Sequence, residues 1–201
     1  MAWLKQAITE GRYGKVLSAR FRRVAEPPGW GKNTFFNGAE SGGALFDLHV
    51  HDTDFVAYCF GRPRSVFSTG HVKFSGAIDH VVTQYEVAGG ACVHAEGSWA
   101  MTPGFGFNMS YTVNFERATA DYDLARGKEA LRLCEAGQPA RVVAAPTDPP
   151  DGYAGELRHF VESIWAGKQP TVVTARDGLA SVEICDAEER SVNSRQIVSL
   201  P

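Results

Sequence analysis

The 201 residues are 44% hydrophobic, enough to bury a substantial core and of a length that favours one domain. The formal net charge is −3 and neither sign is gathered into a long run, which excludes the electrostatic footprint of a nucleic-acid binder. No run of about 18 apolar residues occurs, and Met1-Ala-Trp-Leu-Lys-Gln-Ala lacks the apolar stretch of a signal peptide, so a cytoplasmic protein with no membrane partner is the default expectation.

Trp3, Leu4, Ala7 and Ile8 recur with helical spacing and predict a helix over Ala2–Glu10 that Gly11 stops. A chain that opens within an element points to a cut at a domain boundary. Alternation predicts a strand over Lys15–Arg23, and the Pro-, Gly- and Asn-rich stretch Ala25–Ser41, carrying Trp30, Phe35 and Phe36, reads as a long ordered loop. Gly42-Gly43 opens a helix running to about Phe60, which Gly61 and Pro63 end.

Strands are expected over Ser65–Phe74, His80–Val87, Ala91–Met101 and Met109–Phe115, with shorter ones over Ala118–Leu124, Glu129–Cys134 and Arg141–Ala145. The short, turn-rich links between the first three are those that join antiparallel neighbours. Pro146–Gly152 ends the sheet region. Helices over Tyr153–Ala166, closed by Gly167, and over about Arg176–Asn193 precede a last short strand, Gln196–Leu200. Strand runs flanked by helices, without βαβ alternation, predict one α+β domain: a mainly antiparallel open-faced sheet with helices packed on one face. Ser110, Thr112 and Asn114 alternate with Met109, Tyr111, Val113 and Phe115, leaving a polar face that either pairs two-fold with another copy or stays solvated.

The glycine pairs Gly29-Trp-Gly31 and Gly104-Phe-Gly106 lack the third glycine of a dinucleotide fingerprint, and Glu26 stands where a P-loop needs its first glycine, so this chain is expected to bind no cofactor itself. Cys59, Cys92, Cys134 and Cys185 form no C-x-x-C pair and read as reduced, mostly buried thiols. His71, His80 and His94 have no paired ligand spacing, so no metal site is expected, and His159 has no evident partner on its helix.

The informative stretch is Ser41-Gly-Gly-Ala-Leu-Phe-Asp-Leu-His-Val-His-Asp-Thr-Asp-Phe. On a helix, residues four apart lie roughly 40° apart around the axis, so Asp47, His51 and Asp54 share a face and His49 points elsewhere. A carboxylate one turn from an imidazole can orient it as a general base for an alcohol proton; the plainer reading is an i,i+4 ion pair on a helix surface. Trp30 and Lys32, in the loop feeding Gly42-Gly43, either wall a substrate pocket or anchor that loop on the sheet.

The pattern GG-x3-D-x3-H-x2-D, here Gly42-Gly43, Asp47, His51 and Asp54, resembles the signature of the Gfo/Idh/MocA oxidoreductases. Leu4-Lys5 with Ile8 through Gly11 and Gly14-Lys15-Val16 resemble that family's entry into its C-terminal domain. Glu156-Leu157, His159-Phe160, Gly167-Lys168, and Asp177-Gly178-Leu179 through Ala187 and Ser191 resemble its two closing helices. The resemblance implies the C-terminal, substrate-binding and oligomerisation half of an enzyme whose Rossmann domain, absent here, holds NAD or NADP. It implies a sugar, cyclitol or related polyol as substrate, oxidised from secondary alcohol to ketone. It further implies His51 as proton acceptor or donor and Asp47 as the group positioning substrate hydroxyls, assisted by a Rossmann-domain lysine that has no counterpart in this chain. The alternative is a non-catalytic binding or assembly module that self-associates through its sheet.

Overall fold

The structure, a computed structural model, describes residues 2–30, 34–144 and 151–201. Helix α1 (Ala2–Thr9) buries Leu4 and Ala7, and the chain turns through Gly11 and Gly14 into β1 (Val16–Ala25). The end of the following loop, expected to be irregular, holds a 3₁₀ turn at Thr34–Phe36 and a four-residue helix α2 (Gly38–Ser41). Asn37 caps α2 by accepting a hydrogen bond from the Ala39 N–H, and Gly42 closes it at φ 73°. One turn of helix is too short for an apolar period to register in sequence.

Next comes α3 (Val50–Phe60), entered through a wide turn, Leu45–His49, in which the Val50 N–H reaches five residues back to the Leu45 carbonyl. A single regular helix was expected here. Then follow β2 (Ser65–His71), β3 (His80–Glu86), β4 (Cys92–Ser98), β5 (Phe107–Phe115), β6 (Ala118–Asp123), a 3₁₀ stretch at Leu124–Glu129, β7 (Leu131–Glu135) and β8 (Arg141–Val142). Helices α4 (Gly152–Trp165) and α5 (Ala175–Ser194) and the short β9 (Val198–Ser199) close the chain. Most of the proline-rich stretch after β8 lies outside the described residues.

Among the described residues, nine strands form one sheet in the order β8-β7-β6-β5-β1-β4-β3-β2-β9. Two antiparallel meanders, β2-β3-β4 and β5-β6-β7-β8, flank β1, which is antiparallel to β5 and parallel to β4. The fold is therefore α+β with a mostly antiparallel sheet, as the sequence indicates. The parallel pair was not foreseen: turn signals report only consecutive neighbours, and Ser18 of β1 pairs with Cys92 of β4.

Strand alternation sends Phe21, Ala95, Tyr85, Tyr111, Val113 and Leu133 to the core beneath the helices. Phe21 meets Phe55 of α3 edge-on at 5.3 Å between ring centroids, a favoured aromatic geometry. The opposite face carries Arg20, Arg22, His94, Glu96, Thr112 and Asp121, in register across β1, β4, β5 and β6, with an Arg22–Glu96 ion pair at 3.1 Å. The alternation expected for β5 holds: Tyr111, Val113 and Phe115 are buried and Asn114 is exposed. All four cysteines are free, but only Cys59 and Cys185 are buried; Cys92 and Cys134 are exposed, because strand alternation directs them to the polar side.

Helix α5 begins with a capping box between Thr174 and Asp177 and buries Ile184, Cys185, Ala187, Glu188 and Ser191. Helix α4, capped by Asp151, buries none of its residues although Leu157, Phe160 and Ile164 form an apolar stripe. Among the described residues no helix is long and apolar enough to cross a membrane.

Candidate active site

The site helix is seated by the turn between β2 and β3. Asp79, buried, accepts hydrogen bonds at Oδ2 from the backbone N–H groups of Lys73 (2.7 Å), Phe74 (2.8 Å) and Ser75 (3.1 Å), and at Oδ1 from the Trp99 indole (2.7 Å). The turn so fixed receives the chain entering the helix: the Gly38 N–H donates to the Ser75 carbonyl at 2.7 Å and the Leu45 N–H to the Ile78 carbonyl at 3.2 Å. Gly43 permits this approach, since a Cβ there would lie 2.6 Å from the Ile78 carbonyl oxygen. Leu45 then packs with Ile78, Val81 and Cys185 in a small second core cluster.

From that seat, Leu45, His49, Thr53 and Val56 point inward, while Asp47 and His51 are exposed on the outer side. The structure thus brings Asp47 and His51 to one open face and turns His49 away, as helical spacing implies. The surrounding protein desolvates the Asp47 carboxyl enough to raise its pKa although it reaches solvent, and the charge of His51 draws it back. An imidazole that shares an open helix face with a carboxylate can take up the proton of a hydroxyl bound between them. Asp54, the third motif residue, is partly buried and accepts a 2.8 Å hydrogen bond from the Ser181 hydroxyl of α5, so it ties two helices together.

Trp30 is 76% exposed and rests on Phe35 (4.7 Å between centroids), which rests on the buried Trp99 (5.6 Å). Phe35 thus links Trp30 to Trp99 at the end of β4. Lys32 lies outside the described residues.

Sequence reading passed over four groups. His49, Tyr85, Thr53 and Glu188 meet in the core, and Glu188 could have been suspected because it falls on the buried stripe of α5 with Ile184, Cys185 and Ser191. His159, for which no partner was evident, accepts from the N–H groups of Thr171 and Val172 at 3.3 Å each, a contact with the link after its own helix that spacing cannot show. Arg23 and Asp52 form an ion pair at 2.8 Å, nearly sealed. Asp79 and Trp99 are the fourth. Among the described residues, no group of three or more His, Cys, Asp or Glu side chains gathers as metal ligands.

Among the described residues, Gly104 and Gly106 sit in the turn between β4 and β5 rather than between a strand and a helix, and a Cβ at Gly42 or Gly43 would meet Phe46 or Ala77 and Ile78, so neither pair forms the glycine cradle on which a pyrophosphate rests. The isolated chain is accordingly expected not to bind NADH in isothermal titration. Micromolar binding would count against reading it as one half of an enzyme.

Residues 1–121 match the family model described as the GFO/IDH/MocA C-terminal domain. The chain is 27% identical over 217 residues to the inositol 2-dehydrogenase of Rhizobium meliloti and 25% identical over 208 residues to the myo-inositol 2-dehydrogenase of Thermotoga maritima, covering 98% of this chain and 60% of each relative. It thus spans about 60% of the length of the curated relatives it matches. Its fold is similar to that of part of levoglucosan dehydrogenase in complex with NADH, with a TM-score of 0.80 at 20% identity, covering 98% of this chain and 62% of that one.

Proposed function

Since the chain belongs to the GFO/IDH/MocA oxidoreductases as their C-terminal domain, we propose that it is the substrate-holding half of an NAD(P)-dependent dehydrogenase acting on a sugar, cyclitol or related polyol. The observation that carries this reading is the presentation of Asp47 and His51 on one open helix face, with relatives that are inositol dehydrogenases. In it, His51 takes the proton of the hydroxyl being oxidised. Asp47 orients the imidazole and holds a neighbouring hydroxyl, while Trp30 walls the outer side. The dinucleotide is held by a separate nucleotide-binding domain, and the uncovered apolar stripe of α4 supports the presence of such a partner. Four free cysteines suit the reducing cytoplasm.

The test is a chimera that joins this chain to the nucleotide-binding part of an inositol 2-dehydrogenase, assayed with a panel of cyclitols and sugars and with NAD and NADP. Reduction of nucleotide with at least one polyol is expected. A chimera that binds nucleotide but oxidises none of them would defeat the proposal.

The polar sheet face supports self-association, because among the described residues no helix lies over Arg20, Arg22, His94 and Glu96 and a two-fold axis can set each arginine against a glutamate of the other copy. Light scattering at high micromolar concentration is expected to give at least a dimer mass. A monomer mass there would mean the face is simply solvated.

A further inference from the structure

We propose that His49 is the positioning residue of the Asp47–His51 pair, gripped from the buried side of the helix by Glu188 of α5 and Tyr85 of β3. The inference rests on the reading of that pair given above. His49 lies two residues from each member, and two helical steps of about 100° place it roughly opposite both. Whatever fixes the inner side at this residue therefore fixes the direction of the two outer groups.

The grip is specific. His49 is fully buried, with Nε2 3.2 Å from the Tyr85 hydroxyl and 3.4 Å from Oε2 of Glu188. Glu188, also fully buried, accepts from the Thr53 hydroxyl at 3.2 Å. One carboxylate thus holds His49 at the end of the wide turn and Thr53 in the first turn of α3, across the junction between the two helical geometries. Such five-residue turns are rare and recur at functional sites, and the stretch could relax to an ordinary helix if nothing held its register. The seat itself exists because β4 has glycine at position 97: a Cβ there would lie 2.5 Å from Cβ and Nδ1 of His49.

The Arg23–Asp52 ion pair sits beside the cluster. Burial alone would lower the His49 pKa, yet the neighbouring carboxylate of Glu188, helped by Asp52 and opposed by Arg23, raises it. An apolar side chain would fill the site at lower desolvation cost, whereas the contacts at Nε2 fix one geometry, and they hold even though the buried Nδ1 of His49 has no hydrogen-bond partner among the described residues.

The measurement is the coupling between Asp47 and His51 in this chain, read by NMR as the change in the His51 imidazole chemical shifts at fixed pH caused by Asp47→Asn. It is repeated in His49→Leu, which leaves Glu188 without its imidazole, in Gly97→Ala, which crowds the seat without altering any charge, and in His49→Gln, whose amide can still donate to Glu188. Coupling is expected in the unaltered chain, to fall to about half or less in His49→Leu and Gly97→Ala, and to be largely kept in His49→Gln. If His49→Leu does not fold, Gly97→Ala and His49→Gln decide. Full coupling in the folded crowded or apolar variant would show that His49 is only a packing residue and overturn the inference alone. Absence of coupling in the unaltered chain would overturn the pair itself.

Discussion

In the chimera carrying a nucleotide-binding domain, His51→Ala is expected to lower kcat by about 10² to 10⁴, the usual contribution of a positioned general base, while leaving dinucleotide affinity near that of the parent. The reason lies in the proposed roles: His51 takes the alcohol proton, whereas the added domain holds the nucleotide. The acid limb of the kcat profile, where an imidazole base is protonated, should vanish with it. Asp47→Asn keeps a hydrogen-bonding group of the same size but loses the charge, so it should raise KM more and lower kcat less than His51→Ala. Steady-state kinetics of both variants across pH provides the check. Unchanged turnover in His51→Ala, with its acid limb intact, would place the base elsewhere.

Replacing Asp79 by Ala is expected to destabilise the domain by about 3–5 kcal/mol, because it leaves three backbone N–H groups and the Trp99 indole without their acceptor. For a domain of this length that corresponds to a fall in Tm of roughly 10 °C. Asp79→Asn retains one acceptor oxygen and should cost less. Burial raises the Asp79 pKa, but hydrogen bonds from Ser75, Phe74, Trp99 and Lys73 outweigh it, and the folded value lies below the ordinary one. The corresponding stability is therefore fully present above the unfolded aspartate value of about 4 and is lost as pH falls through the lowered folded value. Urea titrations of parent and variant should diverge most near neutrality and converge in acid. A loss under about 1 kcal/mol at neutral pH would show that the turn is held by its neighbours rather than by this carboxylate.

Features written in local chemistry were legible before the structure. Gly11, Gly61 and Gly167 end helices where they stand in the chain, alternation over His80–Val87 and Met109–Phe115 marks β3 and β5, and helical spacing alone puts Asp47 and His51 on one side with His49 on the other. Features that depend on distant partners were not. The parallel pairing of β1 with β4 joins strands between which α2, α3, β2 and β3 intervene, the contact of His159 with the Thr171–Val172 link needs the folded connection, and the wide turn at Leu45–His49 reflects what packs inside it. The uncovered stripe of α4 has the same apolar period as a core helix, and period alone does not say what covers it.

The place of β1 between two meanders has a consequence for how the chain folds. Each meander can zip from its own hairpins, but β1 precedes both in the chain and pairs with β4 and β5 only across the whole of the β2-β3-β4 meander, so the sheet has high contact order and its closure should be slow. Meanwhile the strand is an unpaired edge on both sides with Ala19 and Phe21 awaiting burial. Arg20, Arg22 and Arg23 then serve a purpose apart from any folded contact: three positive charges within one strand repel a second copy aligned edge to edge and keep the waiting segment from nucleating aggregates.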